Sequence, residues 1–323
     1  MLQLAVPVQD EGRREPVHRS VLAREVIDLL RCRDGRTYVD GTLGPGGHAE
    51  AILESSAPDG RVIGLDLDPD AIRRASERLA GFGERFTAVR SDFRNVDTVL
   101  RELRTGPVDG ILVDLGFSAI QMLTPERGFG FSNEGPLDMR YDPSRGRSAA
   151  DLLAEEDEAS LRRLLLEYGE EKSAGRIARA IVRRREKAPL RTTTELAALV
   201  AECAPRRGPT RIHPATKTFQ ALRIAVNGEL DGLDGFVDTA VMSLRRGGRL
   251  AVISFHSLED RIVKHAMRAL AHRCICPPGM PVCGCGRENI VKVVTGKAVV
   301  PSPTEVAGNP RSRSAKLRVV ERT

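Results

Sequence analysis

The chain has 323 residues, of which 41% are hydrophobic, and this composition predicts a globular protein with a buried core. No apolar segment reaches the roughly 18 to 20 residues that a membrane helix needs, and the first residues meet acids too early for a secretory signal, so we expect a cytoplasmic protein. The net charge is +6, and six cysteines are too few for a disulfide scaffold of this length, which favours reduced thiols.

Strand and helix patterns alternate over the first part of the chain, after a flexible tail that we expect at 1–16. Helices are predicted at 21–31 and 69–80 from the spacing of their apolar residues. Short aliphatic segments bounded by Gly, Pro or Asp have the pattern of buried parallel strands, and these are predicted at 37–42, 61–68, 85–93 and 108–116.

The middle of the chain has only helical patterns, and the strand pattern returns after it. Helices are predicted at 149–153, 158–168, 173–187 and 194–203, and later at 216–244 and 258–271. Further strands are predicted at 249–255, 289–300 and 316–321. We therefore predict an α/β fold with a doubly wound sheet formed by 17–124 and 213–323. An all-helical insertion at 125–212 would hang over the carboxyl ends of the strands and bind the substrate there.

A glycine-rich loop, DGTLGPGGH at 40–48, follows the first predicted strand. Glycine turns let the backbone come close to a ligand, and Asp66, at the end of the second predicted strand, is placed to bind both hydroxyls of a ribose. The sequence therefore predicts an adenosine-containing cofactor.

Two features of this loop bear on which cofactor it binds. Its glycines match the G-x-G-x-x-G/A pattern of dinucleotide binders, which leaves a nicotinamide-dependent oxidoreductase open. However, Pro45 lacks the N–H that a pyrophosphate cradle needs, and Asp40 would repel a phosphate. Both residues favour S-adenosylmethionine, which has a positively charged sulfonium and no phosphate.

Asp114 ends the fourth predicted strand, where a methyl donor and its acceptor would meet. One such acceptor is an amino group conjugated to a pyrimidine ring. Because this amine is a poor nucleophile, its methylation needs a group that orients the N–H and removes charge. Capping of a loop or ordering of the cofactor is the alternative role of Asp114. Four of the twelve Phe and Tyr residues lie in the 25-residue span 117–141 just after it, which predicts a slot for stacking a base, with core packing as the alternative. They are Phe117, Phe129, Phe131 and Tyr141.

Basic residues are clustered in two places. The segment 172–191 holds eight of them against one acid, and Arg176, Arg179 and Arg183 share one helical face. The C-terminal part adds Arg311, Arg313, Lys316 and Arg318. We expect both clusters to contact phosphates, although a solvated surface is the common alternative.

Four cysteines form two C-x-C pairs in CICPPGMPVCGCG, namely Cys274, Cys276, Cys283 and Cys285. They could bind zinc, or they could form a reduced loop, because the usual zinc knuckle has C-x2-C spacing. The sequence does not decide between zinc binding and a reduced loop for these four cysteines.

From His18 to its end, the chain resembles the ribosomal small subunit methyltransferase H family. The strings that carry the resemblance are VDGTLGPGGH, DGILVDLGFS, ERGFGFSNEGPLDMR, YGEEKSAGRIARAI, HPATKTFQALRIAVNGEL, GGRLAVISFHSLEDRIVK and NPRSRSAKLRV. The resemblance implies a class I S-adenosylmethionine-dependent methyltransferase with a Rossmann-like sheet. It also implies methylation of the exocyclic N4 of a cytosine in the decoding region of 16S ribosomal RNA.

The family motifs assign cofactor contacts to Gly46, Gly47, His48, Asp66, Phe93, Asp114 and Gln121. The chain departs from the family pattern at Ser20, Ala119, Met122, Leu123 and Gly130. Because position 123 carries no acid, Asp114 is the carboxylate that we expect to act in catalysis.

For the substrate, we expect a flipped cytosine to lie among Phe129, Phe131, His213, Arg223, Asn227 and His256. A helix-capping role for Ser257 and Asp260 is the alternative to a pocket at the end of the 249–255 strand. A non-enzymatic RNA-binding assembly factor remains a further alternative. The sequence predicts no membrane partner and does not decide between a monomer and a homodimer.

Overall fold

The computed structural model describes residues 20–204, 213–272, 276 and 284–323; the tail predicted at 1–16 lies outside these ranges. A mixed sheet forms the centre of the molecule. Its strands are β1 (Thr37–Asp40), β2 (Arg61–Asp66), β3 (Phe86–Arg90), β4 (Val108–Asp114), β5 (Leu244–Ser254), β6 (Val291–Val293) and β7 (Lys316–Arg322).

The sheet has the order β3-β2-β1-β4-β5-β7-β6. Strands β1 to β5 pair in parallel, whereas β7 runs antiparallel to both β5 and β6. The strand order reverses next to β1, so the carboxyl ends of β1, β2 and β4 border one crevice, which is where such sheets bind ligands. This arrangement confirms the predicted doubly wound, Rossmann-like sheet.

Helices cover both faces of the sheet and form a separate group beside it. In chain order they are α1 (Ala23–Leu30), α2 (Gly47–Ser55), α3 (Pro69–Leu79), α4 (Val96–Glu102), α5 (Ala119–Leu123), α6 (Ala149–Glu155), α7 (Glu158–Gly169), α8 (Ala174–Arg185), α9 (Thr193–Cys203), α10 (Thr216–Asn227), α11 (Leu233–Ser243), α12 (Ser257–Ala271) and α13 (Pro303–Gly308). Within the described ranges, no helix has both the length and the apolar character to cross a lipid bilayer.

Three hydrophobic clusters hold these layers together. Apolar residues of α1, α2 and α3 pack on one face of the sheet, and those of α4, α11 and α12 pack on the other. The helices α6 to α10 share a third cluster, in which Leu161, Ile177 and Leu196 are fully buried. The division into a sheet domain and a helical insertion stays a prediction, and α10 packs with the helical cluster although it follows residue 212.

The structure differs from the sequence prediction in three places. The single helix predicted at 216–244 is wrong: α10 and α11 are separate, because Gly228 and Gly232 both adopt left-handed conformations, with φ of 56° and 64°. The strand predicted at 289–300 is limited to β6 and an isolated bridge from Val299 to Leu317. Helices α2, α4, α5 and α13 were not predicted.

Candidate active site

A cavity of about 770 Å³ opens at the carboxyl ends of β1, β2 and β4, a volume within the range of about 300–1,000 Å³ that is usual for small-molecule sites. Most of the predicted cofactor residues line it, namely Gly47, His48, Asp66, Phe93, Asp114 and Gln121. Gly46 lies behind the wall, where a Cβ would be 3.1 Å from the Leu79 side chain. Its φ of 85° explains why this turn requires glycine.

The glycine loop and Asp66 are joined by hydrogen bonds. The Gly44 N–H donates to Oδ2 of Asp66 at 2.8 Å, and the Asp68 N–H donates to Oδ1 at 2.9 Å. Burial nevertheless raises the pKa of Asp66 to about 6, although these N–H groups act in the opposite direction. The carboxylate is thus held in a fixed orientation at the tip of β2.

Asp114 lies at the tip of β4, with His48 and Asp40 close to it. Nε2 of His48 is 3.5 Å from Oδ2 of Asp114, and both side chains face the cavity. The backbone N–H of Asp114 donates to the hydroxyl of Thr42 at 2.6 Å, which fixes the strand tip. Burial alone would lower the pKa of His48, but the Asp114 and Asp40 carboxylates raise it above its ordinary value.

This group contains buried polar atoms that have no hydrogen-bond partner among the described residues. They are Oδ2 of Asp40, Oδ1 of Asp114 and both ring nitrogens of His48. Buried polar atoms are normally paired with protein groups, water or ligand, so their concentration here indicates a site built for a polar ligand. Burial also raises the pKa of Asp40 to about 6.

Phe93 and Gln121 are held by neighbours outside the glycine loop. The Phe93 ring lies edge-on to Phe236 at 4.7 Å between centroids, and the Arg94 guanidinium lies 4.8 Å from the Phe93 centroid. Gln121 donates from Nε2 to Oδ2 of Asp68 at 2.8 Å. Both side chains therefore have defined positions at the cavity wall.

The aromatic residues after β4 form a stack. Phe129 lies between Phe117 and Tyr141, with centroids 5.3 Å and 5.7 Å away and planes within 10° and 14° of parallel. Phe129 is buried by these neighbours and is not part of the cavity lining. Phe117 and Tyr141 do line it.

A buried ion pair supports the substrate side of the cavity. Arg223 donates to both oxygens of Glu229 at 2.7 and 2.9 Å, and the Tyr141 hydroxyl donates to Glu229 at 2.8 Å. Glu229 lines the cavity, whereas Arg223 lies behind it with its guanidinium 4.6 Å from the Phe117 ring. The pair thus positions two aromatic rings of the wall.

Asn227 and His256, which we expected beside the base, both form hydrogen bonds with protein groups. Asn227 lines the cavity, but its amide accepts from the Tyr141 N–H and donates to the carbonyls of Met139 and Arg223. His256 caps α12 by accepting the Glu259 N–H at Nδ1. Hydrogen bonds to the protein therefore account for most of the polar atoms of these two side chains.

The remaining predicted substrate residues lie outside the cavity wall. Phe131 packs against His213 and Phe219, each at 4.8 Å between centroids. The arginines 176, 179 and 183 are exposed on α8, and Arg179 lies 3.5 Å from Glu158. In the C-terminal cluster, Lys316 and Arg318 both bind Asp260, whereas Arg311 and Arg313 are exposed.

Neither candidate metal group is supported by its contacts. Cys274 and Cys283 lie outside the described residues, so the four-thiolate interpretation has no geometry to assess. Glu229, His256 and Glu259 place ligand atoms within 4.8 Å of one another. However, Arg223 and Tyr141 already occupy the Glu229 oxygens, and Nδ1 of His256 caps a helix. This leaves Nε2 of His256, which has no hydrogen-bond partner among the described residues and lies 3.1 Å from Oε1 of Glu259.

Sequence analysis did not single out Thr42, Glu229 or Glu259 as part of the site. Glu229 and Glu259 line the cavity, and Thr42 supports Asp114. The sequence signal available for Glu229 was its place beside Asn227 in the string HPATKTFQALRIAVNGEL.

Known proteins provide a match over nearly the whole chain. A model of the MraW methylase family matches residues 15–323. The ribosomal RNA small subunit methyltransferase H of Trichlorobacter lovleyi is 51% identical over 306 residues, which cover 94% of this chain and 98% of that protein. The methyltransferase H of an Anaeromyxobacter species is 54% identical over 309 residues, which cover 95% and 98%. A solved precorrin-6y C5,15-methyltransferase of Geobacter metallireducens aligns with 94% of this chain and 88% of its own at 9% identity and a TM-score of 0.42. The chain therefore belongs to the MraW methylase family.

Proposed function

We propose that this chain transfers the methyl group of S-adenosylmethionine to the exocyclic N4 of a cytosine in the decoding region of 16S ribosomal RNA, within the small ribosomal subunit. Family membership and the names of its relatives support this reaction and this class of substrate. The observation that carries the proposal is the placement of two carboxylates on one cavity. Asp66 lies where a ribose would bind, and Asp114 lies where an acceptor amine would approach.

The residues present fit this cofactor. Asp114, with an unpaired oxygen in the cavity wall, and Asp40, fully buried behind that wall, would stabilise a positive charge in the cavity, and Pro45 has no N–H to offer a pyrophosphate. Asp66 would bind the ribose hydroxyls, and the ring of Phe93 would lie beside the adenine. When bound, the cofactor supplies a methyl group on a positively charged sulfur.

Asp114 would act on the acceptor. Its unpaired Oδ1 can accept a hydrogen bond from the N4 amine, which orients the nitrogen lone pair toward the methyl group. As the new N–C bond forms and the S–C bond breaks, the amine loses a proton, and the Asp114 carboxylate receives it. His48, with Nε2 3.5 Å from Oδ2, would border the carboxylate on the side away from the acceptor.

The acceptor side of the cavity suits a planar base. Phe117 and Tyr141 present aromatic surface there, and stacking of a base on such rings contributes roughly 1 to 3 kcal/mol. The exposed arginines of α8 and the exposed Arg313 are candidates for contacts with RNA phosphates. The other residues predicted for the substrate would then support this surface rather than touch the base. They are Phe129, Phe131, His213, Arg223, Asn227 and His256.

Labelled S-adenosylmethionine and small ribosomal subunits from a strain that lacks this protein provide the test. We expect label in N4-methylcytidine after digestion to nucleosides, with subunits and naked 16S rRNA compared as substrates. Label in another nucleoside, or none, would contradict the proposal. Asp114→Asn should abolish most of the labelling. The matched control is Asp109→Asn, because Asp109 lies at the other end of β4 and pairs with Arg36 and Arg245 away from the cavity.

A further inference from the structure

A segment near the C-terminus forms part of the cavity wall. Gly308, Asn309, Pro310 and Arg311 line it together with Ser20. The segment is fixed at both ends, because Glu305 of α13 accepts the Leu22 N–H at 2.8 Å and the turn Pro310–Ser314 leads directly into β7.

This wall is joined to the segment at Ser20 and Leu22, and Ser20 packs against the glycine loop. If the ribose binds Asp66 and the methyl group faces Asp114, Gly47 and His48 of that loop would border the amino-acid end of the donor. The Ser20 side chain packs tightly against the backbone of Gly47, because a Cβ added to Gly47 would lie only 2.3 Å from the Ser20 hydroxyl. The C-terminal segment therefore borders the same part of the cavity.

The amino-acid end carries a carboxylate, and it needs a cationic partner in a cavity whose other charged groups are mainly acids. Three cationic side chains line the cavity among the described residues: His48, Arg94 and Arg311. His48 faces Asp114. Arg94 donates to Asp92 at 2.8 Å and to the carbonyls of Gly228, Glu229 and Asp231.

Arg311 differs from both, since it is exposed and no hydrogen bond or ion pair joins its guanidinium to the described residues. A guanidinium can bind a carboxylate through two parallel N–H donors. We infer that Arg311 binds the carboxylate at the amino-acid end of the donor and selects the complete donor over adenosine compounds without that group. This inference rests on the proposed donor.

Calorimetry with two ligands tests the inference. S-adenosylhomocysteine keeps the carboxylate, whereas 5′-deoxy-5′-methylthioadenosine has no amino-acid end. For Arg311→Gln we expect the Kd of S-adenosylhomocysteine to rise about tenfold to a hundredfold, since the substitution removes a hydrogen bond between two charged groups. The Kd of methylthioadenosine should not change. Arg313→Gln is the matched control: Arg313 is exposed in the same turn but does not line the cavity, so both Kd values should stay as in the wild type.

Two other outcomes would overturn the assignment. Equal weakening of both ligands by Arg311→Gln would mean general damage to the cavity. Unchanged ligand binding together with weaker binding of ribosomal subunits would place Arg311 on an RNA phosphate instead. Failure of the proposed function looks different, because the wild-type protein would then bind no S-adenosylhomocysteine or would yield no N4-methylcytidine.

Discussion

Asp40 is predicted to lower the stability of the donor-free protein at neutral pH. It is fully buried at the end of β1, and its Oδ2 has no hydrogen-bond partner among the described residues. Burial raises its pKa from 3.8 to about 6, so the folded state binds this proton more tightly than the unfolded state. The resulting stabilisation is present below about pH 4 and is lost as the pH rises through about 6. A shift of roughly 2 units corresponds to about 3 kcal/mol.

Asp40→Asn removes this pH-dependent loss. At pH 7.5 we expect the free energy of unfolding of the donor-free variant to exceed that of the wild type by about 1 to 3 kcal/mol, measured by urea denaturation. The difference should shrink as the pH falls toward 4, because the wild-type carboxyl is then protonated as well. Asp109→Asn, which breaks ion pairs with Arg36 and Arg245 outside the cavity, should not stabilise the protein at either pH.

The same substitution should weaken binding of the donor selectively. S-adenosylmethionine has a positive sulfonium, whereas S-adenosylhomocysteine has a neutral thioether, so removal of the Asp40 charge should raise the Kd of the first more than that of the second. A variant that is less stable at pH 7.5, or one whose gain in stability is equally large at pH 4, would refute the reasoning about buried charge. Equal effects on the two ligands would refute its electrostatic role in binding.

Three further sets of substitutions test other parts of the protein. Asp114→Asn should lower the single-turnover rate by about 10²- to 10⁴-fold while the Kd of S-adenosylhomocysteine stays within a few fold, and a normal rate would exclude Asp114 as the proton acceptor. Arg223→Met should lower the free energy of unfolding by about 3 to 5 kcal/mol, because Glu229 would stay buried without its partner, and adding Glu229→Gln should recover much of that decrease. Replacing the α8 arginines 176, 179 and 183 with Gln should reduce the slope of log K for RNA against log salt by about 0.7 for each phosphate that is no longer neutralised, and an unchanged slope would mean a merely solvated surface.

The sheet could be predicted because buried parallel strands leave a simple pattern. The segment of β4, VDGILVD, is almost continuously apolar and ends in an acid at the cavity. The break between α10 and α11 was not predictable from the same kind of pattern. Leu222, Val226, Leu230 and Leu233 keep helical spacing across it, and the left-handed conformation of Gly228 becomes evident only in the folded chain.

Residues at strand tips were the predictable part of the site. Asp66 and Asp114 end their strands, and the topology of a doubly wound sheet brings such ends to one edge. The hydrogen bonds that support the aromatic wall on the substrate side were not predictable, since they join residues that are distant in sequence. Tyr141 and Glu229, for example, are separated by 88 positions and meet through one hydrogen bond of 2.8 Å.

Asp66 and Asp114 in the cavity wall and Asp40, buried behind it, differ in how the fold holds them, and this difference separates their roles. The Asp66 carboxylate accepts two backbone N–H bonds, so it is oriented before any ligand arrives, whereas at Asp114 the backbone N–H is the group that is held, by the Thr42 hydroxyl. Asp40 has one long contact, 3.3 Å from the Thr42 N–H, and an unpaired oxygen. Orientation therefore cannot be its main contribution. Its buried charge raises the energy of the donor-free site, and a cationic ligand lowers that energy, so the affinity for a sulfonium and the instability of the empty site have the same physical origin.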